Sequence, residues 1–200
     1  KGYLIKEYFL NYHLHTSDVE IDLFSNNISY FNKNTESWNI KLIDTGQQAM
    51  TGGRIKRISD HIDSDDFLMT YGDGVANINL SKLVAFHQKH KKLATVTSVF
   101  APGRFGGMTL NENKVTNFTE KPKGDGKRIN GGFFVLNKKV INLINDDLTI
   151  WENEPINRLA ESGELYAYLH DEFWHPMDTI RDKVYLEELW NSKDCPWKIW

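Results

Sequence analysis

The alternation of apolar and polar positions along the chain predicts short strands and amphipathic helices in turn. Leu80–His90 repeats apolar residues every three or four positions, as a helix with one buried face does. Ala94–Phe100 is rich in β-branched residues, and Phe67–Tyr71 is a short apolar run, typical of a strand buried on both faces of a parallel sheet. Strands that alternate with helices predict an α/β fold with a mixed, mainly parallel central sheet.

The same patterns predict the other elements. Helices are expected over these segments: Leu4–His13, Arg54–Ile62, Lys138–Ile144, Glu154–Ser162 and Ile180–Trp190. Strands are expected over these: Val19–Phe24, Ile28–Phe31, Trp38–Ile43, Met108–Leu110, Val115–Thr119, Gly132–Leu136 and Leu165–Leu169. Asn111–Asn113 is typical of a hairpin turn, and Gly163 of a residue that ends a helix. No convincing linker divides the chain, so we expect a single domain over residues 1–200.

The composition of the chain argues against nucleic acids and membranes as binding partners. The chain has 24 lysines and arginines against 27 aspartates and glutamates, a net charge of −3, and no basic stripe of the kind that binds nucleic acid. No apolar segment reaches the length of a membrane span. The single cysteine, Cys195, allows no intrachain disulfide, which suits a reducing compartment. We therefore expect a cytoplasmic protein with no nucleic-acid or membrane partner.

Two aspartates are candidate ligands of a hard cation. Asp73 lies between two glycines directly after the Phe67–Tyr71 strand, and open α/β sheets bind ligands beyond the carboxyl ends of their strands. Asp178 precedes Thr179 and the last predicted helix. Mg²⁺ is usually held by one or two carboxylates together with substrate phosphates. The alternatives are an ordinary Asp-Gly turn for Asp73 and a helix N-cap for Asp178.

A charged pair follows the strand that ends at Thr119. Lys121, which precedes Pro122, could hold a phosphate as a point charge, and Glu120 could accept hydrogen bonds from sugar hydroxyls. The alternative is a solvated pair of surface charges.

Three glycine-rich segments place bare backbone beside polar side chains. They are Thr51-Gly52-Gly53-Arg54, Gly103-Arg104-Phe105-Gly106-Gly107 and Asn130-Gly131-Gly132-Phe133. Such segments allow a ligand to approach the backbone closely. In the first, N–H groups at a helix start could contact a base or hold an anion. Each segment alone could be an ordinary turn, but together they predict a binding site, with Arg104, Gly106, Asn130 and Gly131 among its contacts.

Other catalytic chemistries are not indicated. His87 and His90 have the i, i+3 spacing of a helix, but no third ligand for zinc is evident. The sequence has neither a Walker A pattern nor a dinucleotide glycine fingerprint. It also has no Ser/His/Asp or Cys/His set that suggests covalent catalysis.

Taken together, the motifs resemble those of the glucose-1-phosphate cytidylyltransferases, a family of sugar-phosphate nucleotidyltransferases. They occur in the family's order and span essentially the whole chain: Thr51-Gly52-Gly53-Arg54, Tyr71-Gly72-Asp73-Gly74-Val75, Pro102-Gly103-Arg104-Phe105-Gly106, Glu120-Lys121-Pro122-Lys123-Gly124, Ile129-Asn130-Gly131-Gly132-Phe133-Phe134 and Pro176-Met177-Asp178-Thr179. The resemblance implies a Rossmann-like nucleotidyltransferase fold. It also implies an Mg²⁺-dependent enzyme of nucleotide-sugar biosynthesis that converts CTP and α-D-glucose 1-phosphate into CDP-glucose and pyrophosphate.

The resemblance also implies residue roles. Asp73 and Asp178 match the metal-binding aspartates, Lys121 matches the lysine on the sugar phosphate, and Glu120 matches the contact to sugar hydroxyls. The remaining matches are Asn130 with Gly106 in the sugar pocket, Gly53 with Arg54 near the base, and Arg158 as a sugar-phosphate arginine known from the related thymidylyltransferases.

One departure from the family pattern concerns the start of the chain. The family opens with a strand and a loop of the form G-G-x-G-T-R, followed by a lysine in a K-P pair, and neither occurs here. Both hold the triphosphate in the family. We therefore expect that at least one βαβ-type unit, roughly thirty residues or more, precedes Lys1 in the source protein.

Other functions stay open at this stage. The same fold could use UTP or dTTP, or another sugar phosphate, because base choice depends partly on the opening segment. The chain could also be a catalytically silent regulator that binds a nucleotide or sugar. The aromatic tail Trp190–Trp200 could be a contact in a homo-oligomer, or it could simply pack as a terminal helix.

Overall fold

The computed structural model describes residues 1–32, 36–103, 107–119, 127–192 and 195–198. Its backbone divides into two compact units, Lys1–Gly46 and Gln47–Trp200. The expectation of one domain over residues 1–200 stays a prediction. In the described part of the chain, no helix combines the length and the apolar character that crossing a membrane requires.

Most elements follow the predicted order, and the short strands at Gly74–Ala76 and Trp174–Pro176 are additional ones that the pattern does not predict. The helices are α1 (Gly2–Leu10), α2 (Tyr12–Thr16), α3 (Thr51–Arg57), α4 (Leu80–His90), α5 (Glu154–Glu161) and α6 (Ile180–Asn191). Short 3₁₀ helices cover Ser59–His61 and Lys138–Leu143. The strands are β1 (Asp18–Asp22), β2 (Asn27–Phe31), β3 (Asp66–Thr70), β4 (Gly74–Ala76), β5 (Ala94–Phe100), β6 (Gly107–Asn111), β7 (Lys114–Thr119), β8 (Arg128–Asn137), β9 (Leu165–Leu169) and β10 (Trp174–Pro176).

The first unit consists of α1, α2 and a hairpin in which β1 and β2 pair antiparallel. None of its described residues is fully buried. The strand predicted over Trp38–Ile43 is wrong, because this segment is irregular. The ring of Trp38 lies 6.1 Å from that of Tyr12, whose hydroxyl donates a hydrogen bond to Glu36 Oε2 at 2.5 Å. Side-chain contacts of this kind, and no strand ladder, hold the segment.

The second unit contains a mixed four-stranded sheet in the order β3-β8-β5-β9. Strand β8 is antiparallel to both β3 and β5, whereas β5 and β9 are parallel. Three strands therefore point one way, with β8 inserted against them. The prediction of a mixed sheet flanked by helices is confirmed. The expected prevalence of parallel pairing is wrong, because two of the three described pairings in this sheet are antiparallel.

Strand β8 is the element that is buried on both faces of the sheet. Phe134 and Leu136 belong to a core cluster with residues of α3 and α5, and Val135 belongs to a second cluster with Leu83 of α4. The prediction that Phe67–Tyr71 is buried on both faces is wrong: Leu68 is 52% exposed. In the described part of the sheet β3 pairs on one side only, so its residues alternate between half-buried and exposed positions.

Several predicted boundaries are confirmed, and three helix predictions need correction. The helix predicted over Leu4–His13 is divided at Asn11 into α1 and α2. Strands β5 and β9 and helix α4 have the predicted bounds, β6 and β7 form the expected hairpin, and Gly163 follows α5 with a φ of +69°. The helix predicted over Arg54–Ile62 begins earlier, at Thr51, and continues beyond Arg57 as a 3₁₀ turn. The segment after β8 is a 3₁₀ helix that ends at Leu143.

The two histidines of α4 form a structural cluster around Thr95. The Lys92 N–H donates to His90 Nδ1 at 3.0 Å, so the proton of neutral His90 lies on Nε2, which is 2.7 Å from Thr95 Oγ1. The Thr95 hydroxyl then has its own proton for His87 Nδ1, 2.9 Å away. Both histidines therefore serve the packing of α4 on β5.

This cluster predicts a pH-dependent stability. Burial, with a smaller effect of His87, lowers the pKa of His90 from its usual 6.5. The unfolded chain therefore binds a proton at a higher pH than the folded chain does, so stability is lost as pH falls through 6.5. We expect the free energy of unfolding to decrease below about pH 6.5 by up to about 1.4 kcal/mol per pH unit.

Urea unfolding between about pH 7.5 and about pH 5.5 checks this prediction. A His90→Gln variant is expected to flatten the dependence, and a variant of the exposed His61, His61→Gln, is expected to keep it. An equal slope in both variants would contradict the assignment to His90.

Candidate functional site

A short antiparallel ladder brings the two candidate metal ligands together. Strands β4 and β10 pair with Gly74 opposite Pro176, and beyond that pair the Met177 N–H donates to the Asp73 carbonyl at 2.7 Å. Asp178 is the next residue of the chain. Both aspartates are exposed. Two carboxylates that were predicted from distant motifs therefore lie at the same end of one ladder.

The helix that follows Asp178 is capped by a different residue. The Thr179 hydroxyl accepts from the Asp182 N–H at 3.2 Å, and the Thr179 N–H donates to Asp182 Oδ2 at 2.9 Å, which forms a capping box. His175 Nε2 lies 3.2 Å from the other oxygen of Asp182. The alternative that Asp178 is the N-cap is therefore wrong. Because Asp182 binds residues on both sides of Asp178, it fixes the backbone at that position.

Hydrogen bonds to the Asp182 carboxylate lower its pKa. The Thr179 side chain makes the largest contribution, and the Thr179 backbone and His175 add to it. The cap is therefore ionised at neutral pH. The start of α6 is thus firmly placed beside the Asp73–Asp178 pair.

The Asn130 segment lies against the same ladder. The Trp174 indole N–H donates to the Gly131 carbonyl at 2.7 Å. A Cβ built on Gly74 would lie 3.8 Å from the Gly131 oxygen, which is ordinary van der Waals contact. The Asp73 turn, the Asn130 segment and the Asp178 segment therefore meet at this ladder, and their roles in one binding site stay predictions.

The two glycines after Asn130 are needed by the protein's own packing. A Cβ on Gly131 would lie 2.8 Å from Val99 Cγ1. A Cβ on Gly132, where φ is +78°, would lie 2.7 Å from the Tyr71 ring. The interpretation of their bare backbone as room for a ligand is corrected accordingly: neighbouring side chains occupy that space. The role of Gly131 as a substrate contact stays a prediction.

A carboxylate that no sequence motif singled out, Glu152, is connected to Asn130 through Tyr71. Glu152 Oε1 accepts a hydrogen bond from the Tyr71 hydroxyl at 2.5 Å, and Oε2 accepts one from the Thr51 hydroxyl at 2.7 Å. The Tyr71 oxygen in turn accepts from Asn130 Nδ2 at 3.1 Å. Burial, and then the bond to Glu152, raise the pKa of Tyr71, so its hydroxyl stays protonated.

No motif in the sequence distinguishes Glu152 from its neighbours. It lies two residues before Glu154, the acidic first residue of α5, and no local pattern separates the two glutamates. The distinction arises from contacts with Tyr71 and Thr51, which are far away along the chain.

The glycines of the Thr51 segment contact the protein. The N–H groups of Gly52 and Gly53 donate to the Thr149 carbonyl at 2.9 and 3.2 Å, and both glycines are buried. The interpretation of these N–H groups as donors to a base or an anion is therefore wrong. Arg54 is exposed on the first turns of α3, and the predicted proximity of Gly53 and Arg54 to a nucleotide stays a prediction.

Arg158 has a partner on its own helix. Its guanidinium lies 3.6 Å from Glu154 on the exposed side of α5. This pairing by itself does not bring Arg158 to the Asp73–Asp178 pair. The predicted contacts Arg104, Gly106, Glu120 and Lys121 lie outside the described residues.

The donor atoms of the site suit a hard cation that also binds substrate. No group of three or more His, Cys, Asp and Glu side chains within the described ranges could hold a metal by itself. Asp73 and Asp178 offer carboxylate oxygens only. This donor set fits Mg²⁺, which keeps several positions for phosphate and water oxygens.

Comparisons with known proteins identify the family of this chain. The family described as nucleotidyl transferase matches residues 25–181. The glucose-1-phosphate cytidylyltransferase of Salmonella typhimurium is 54% identical over 201 residues, which cover 100% of this chain and 78% of that protein. A Bacillus subtilis protein named "Probable glucose-1-phosphate cytidylyltransferase" is 39% identical with the same coverage.

Solved structures support the fold. The structure of HddC from Yersinia pseudotuberculosis superposes with a TM-score of 0.52 at 20% identity. The match covers 70% of this chain and 61% of HddC, so the chain spans about three fifths of that structure. The sequence and fold together assign the family: the chain belongs to the nucleotidyl transferases and, among them, to the glucose-1-phosphate cytidylyltransferases.

Proposed function

We propose that the protein transfers a cytidylyl group from CTP to α-D-glucose 1-phosphate and forms CDP-glucose and pyrophosphate. The observation that carries this proposal is the meeting of Asp73 and Asp178 at one ladder end beside Asn130, in a chain of this family. In this proposal the carboxylates of Asp73 and Asp178 bind a cation that offsets phosphate charge, and the Asn130 amide binds the sugar.

The reaction needs alignment more than acid–base chemistry. A phosphate oxygen of glucose 1-phosphate attacks the α-phosphorus of CTP, and the bond from that phosphorus to the bridging oxygen breaks. Pyrophosphate leaves with the electron pair. The attacking oxygen is already anionic at neutral pH, so no general base is needed. In-line placement of the two mutually repelling phosphates is the main task of the protein.

Asp73 and Asp178 are the proposed ligands of Mg²⁺. When bound, Mg²⁺ neutralises charge on the phosphates that it contacts. The backbone hydrogen bond from Met177 to Asp73 joins the two segments that carry the acidic side chains. The Thr179 cap stabilises the start of α6, directly after Asp178. The enzyme family supports dependence on a divalent metal in general, and the choice of Mg²⁺ follows from the all-oxygen donor set.

The other residues have proposed roles in binding substrate. Lys121 would neutralise the sugar phosphate, and Glu120 with Asn130 would bind sugar hydroxyls. The remaining predicted contacts keep their roles as proposals: Arg104, Gly106 and Gly131 along the sugar, Gly53 and Arg54 near the base, and Arg158 at the sugar phosphate. For Gly53 the proposed role is indirect, because its N–H is bound to Thr149.

A cytoplasmic, homo-oligomeric enzyme is the setting that we propose. CTP is a cytoplasmic metabolite, and the single cysteine is compatible with a reducing compartment. In the tail, the Trp197 ring stacks on Phe173 at 5.4 Å, and Lys198 Nζ lies 4.8 Å from the centre of the Trp190 ring. These contacts favour a tail packed on its own chain, and Trp190 keeps an exposed face for an oligomer contact.

A substrate comparison in the intact enzyme tests the function. We expect kcat/KM with glucose 1-phosphate to be at least about tenfold higher for CTP than for UTP or dTTP, a difference of about 1.4 kcal/mol. Pyrophosphate release and product chromatography are the measurements. Preference for UTP or dTTP would replace the nucleotide in the proposal. Absence of pyrophosphate release with every nucleotide would contradict catalysis and favour a binding regulator.

A further inference from the structure

Glu152 connects the two sides of the candidate site. One of its oxygens binds Tyr71, which leads to Asn130, and the other binds Thr51 at the start of α3. We infer that Glu152 is a positioning residue, which orients the sugar-binding amide through Tyr71 and the nucleotide-side helix through Thr51. The inference rests on the proposed function.

The direction of each hydrogen bond in this network follows from its atoms. Tyr71 and Thr51 each donate a hydroxyl proton to one oxygen of Glu152. The oxygen of each hydroxyl is then available as an acceptor. Tyr71 accepts from Asn130 Nδ2, and Thr51 accepts from the Trp151 N–H at 2.9 Å. The whole network thus has one defined set of donors and acceptors.

On the sugar side, the network determines how Asn130 is oriented. Asn130 Oδ1 accepts from the Gly132 N–H at 2.8 Å, which places the NH₂ group toward Tyr71. One amide hydrogen and one lone pair of the oxygen remain for other partners. A sugar hydroxyl both donates and accepts, so it matches this pair. Without Glu152, the Tyr71 proton would have no fixed direction and would compete with the Asn130 N–H.

On the nucleotide side, the network ties α3 to the segment before α5. Thr51 bonds Glu152 with its hydroxyl proton and the Trp151 N–H with its oxygen. The next two N–H groups of α3 bond the Thr149 carbonyl. The first three residues of α3 are therefore hydrogen-bonded to the segment before α5, and Arg54 is the next residue of the helix.

A Glu152→Gln variant keeps the shape of the side chain but removes its charge and one of its two acceptor oxygens. The glutamine amide has one acceptor oxygen and one donor NH₂ group, so it can accept from only one of the two hydroxyls. The other hydroxyl then faces a donor, and its proton has no partner in the network. The loss of one hydrogen bond at a half-buried position is expected to weaken substrate binding about tenfold.

The experiment compares KM and kcat in the intact enzyme. Glu152→Gln is expected to raise KM about tenfold for one substrate, glucose 1-phosphate if Tyr71 loses its acceptor or CTP if Thr51 does, with kcat within about threefold of wild type. Tyr71→Phe is expected to raise only the KM for glucose 1-phosphate, and Thr51→Val only the KM for CTP. The matched control is Glu161→Gln, the same change at an exposed position on α5, which is expected to leave both values unchanged.

A double variant tests the route through Tyr71. If Glu152 acts on the sugar through Tyr71, then Tyr71→Phe combined with Glu152→Gln raises the KM for glucose 1-phosphate no further than Tyr71→Phe alone. Additive increases would contradict that route.

Three outcomes have distinct meanings. Glu152→Gln with both KM values equal to those of Glu161→Gln overturns the inference. A lower Tm with unchanged KM values overturns it too, since that result describes a structural carboxylate only. If Glu152→Gln does not fold, the KM patterns of Tyr71→Phe and Thr51→Val decide in its place. Wild-type protein that forms no CDP-glucose contradicts the proposed function instead, and the comparison is then made with whichever nucleotide is turned over.

Discussion

The Asp73→Asn variant is expected to lose at least on the order of a thousandfold in kcat/KM, about 4 kcal/mol of transition-state stabilisation. Asparagine has the shape of aspartate, but it lacks the charge that a divalent cation requires. The backbone bond from Met177 N–H to the Asp73 carbonyl is unaffected by this change. Steady-state turnover with CTP, glucose 1-phosphate and varied Mg²⁺ is the measurement.

The matched control is Asp63→Asn. Asp63 is an exposed aspartate before the other end of β3, and its replacement should leave turnover within about twofold of wild type. Asp178→Asn should match Asp73→Asn, and the double variant should be hardly worse than either, because the two carboxylates act as a unit. Both site variants should unfold within about 0.5 kcal/mol of wild type, as exposed substitutions usually do. Wild-type turnover in Asp73→Asn would contradict the metal assignment.

The Gly53→Ala variant is expected to be destabilised by about 3 kcal/mol, at the upper end of the usual cost of overpacking. The added Cβ would lie 2.3 Å from the Asp147 carbonyl oxygen, which is backbone and cannot rotate away. Either α3 or the Asp147–Thr149 segment must shift, and the bonds to the Thr149 carbonyl then lengthen. For a chain of this size the loss corresponds to a Tm about 6–12 °C lower.

Gly2→Ala serves as the control for Gly53→Ala. Gly2 also lies in the first turn of a helix, but a Cβ there meets nothing within 4 Å. The control should be neutral or slightly stabilised, by up to about 1 kcal/mol, because alanine is the better helix former. Equal Tm values for the two variants would show that close approach of a Cβ at position 53 to Asp147 does not lower stability. Thermal unfolding by circular dichroism distinguishes these outcomes.

The elements that the sequence predicts well are those with a clear local period. Leu80–His90 and Ala94–Phe100 were predicted to the residue, because helical spacing and β-branched content are properties of neighbouring positions. The sequence indicated Asp73 and Asp178 as two candidate carboxylates of one metal site, but it did not predict the β4–β10 ladder that joins their segments.

Contacts between distant segments could not be predicted in the same way. The apolar run of Phe67–Tyr71 has the composition of a central strand, yet Leu68 is exposed, because burial depends on which strands pair on either side. The glycines of the Thr51 and Asn130 segments have the composition of ligand loops. Their neighbours are Thr149, Val99 and the Tyr71 ring, and no local pattern identifies these partners.

The place of β8 in the sheet has a consequence for how the protein folds as it is synthesised. Leu68 and Thr95 both find their opposite residue in Val135, which leaves the ribosome long after either of them. Until then, β3 and β5 have no strand between them. Non-local pairing of this kind folds slowly and leaves strand edges open to aggregation. Release of nascent chains stalled before β8 should therefore give protease-sensitive products, whereas chains stalled well beyond it should give resistant ones.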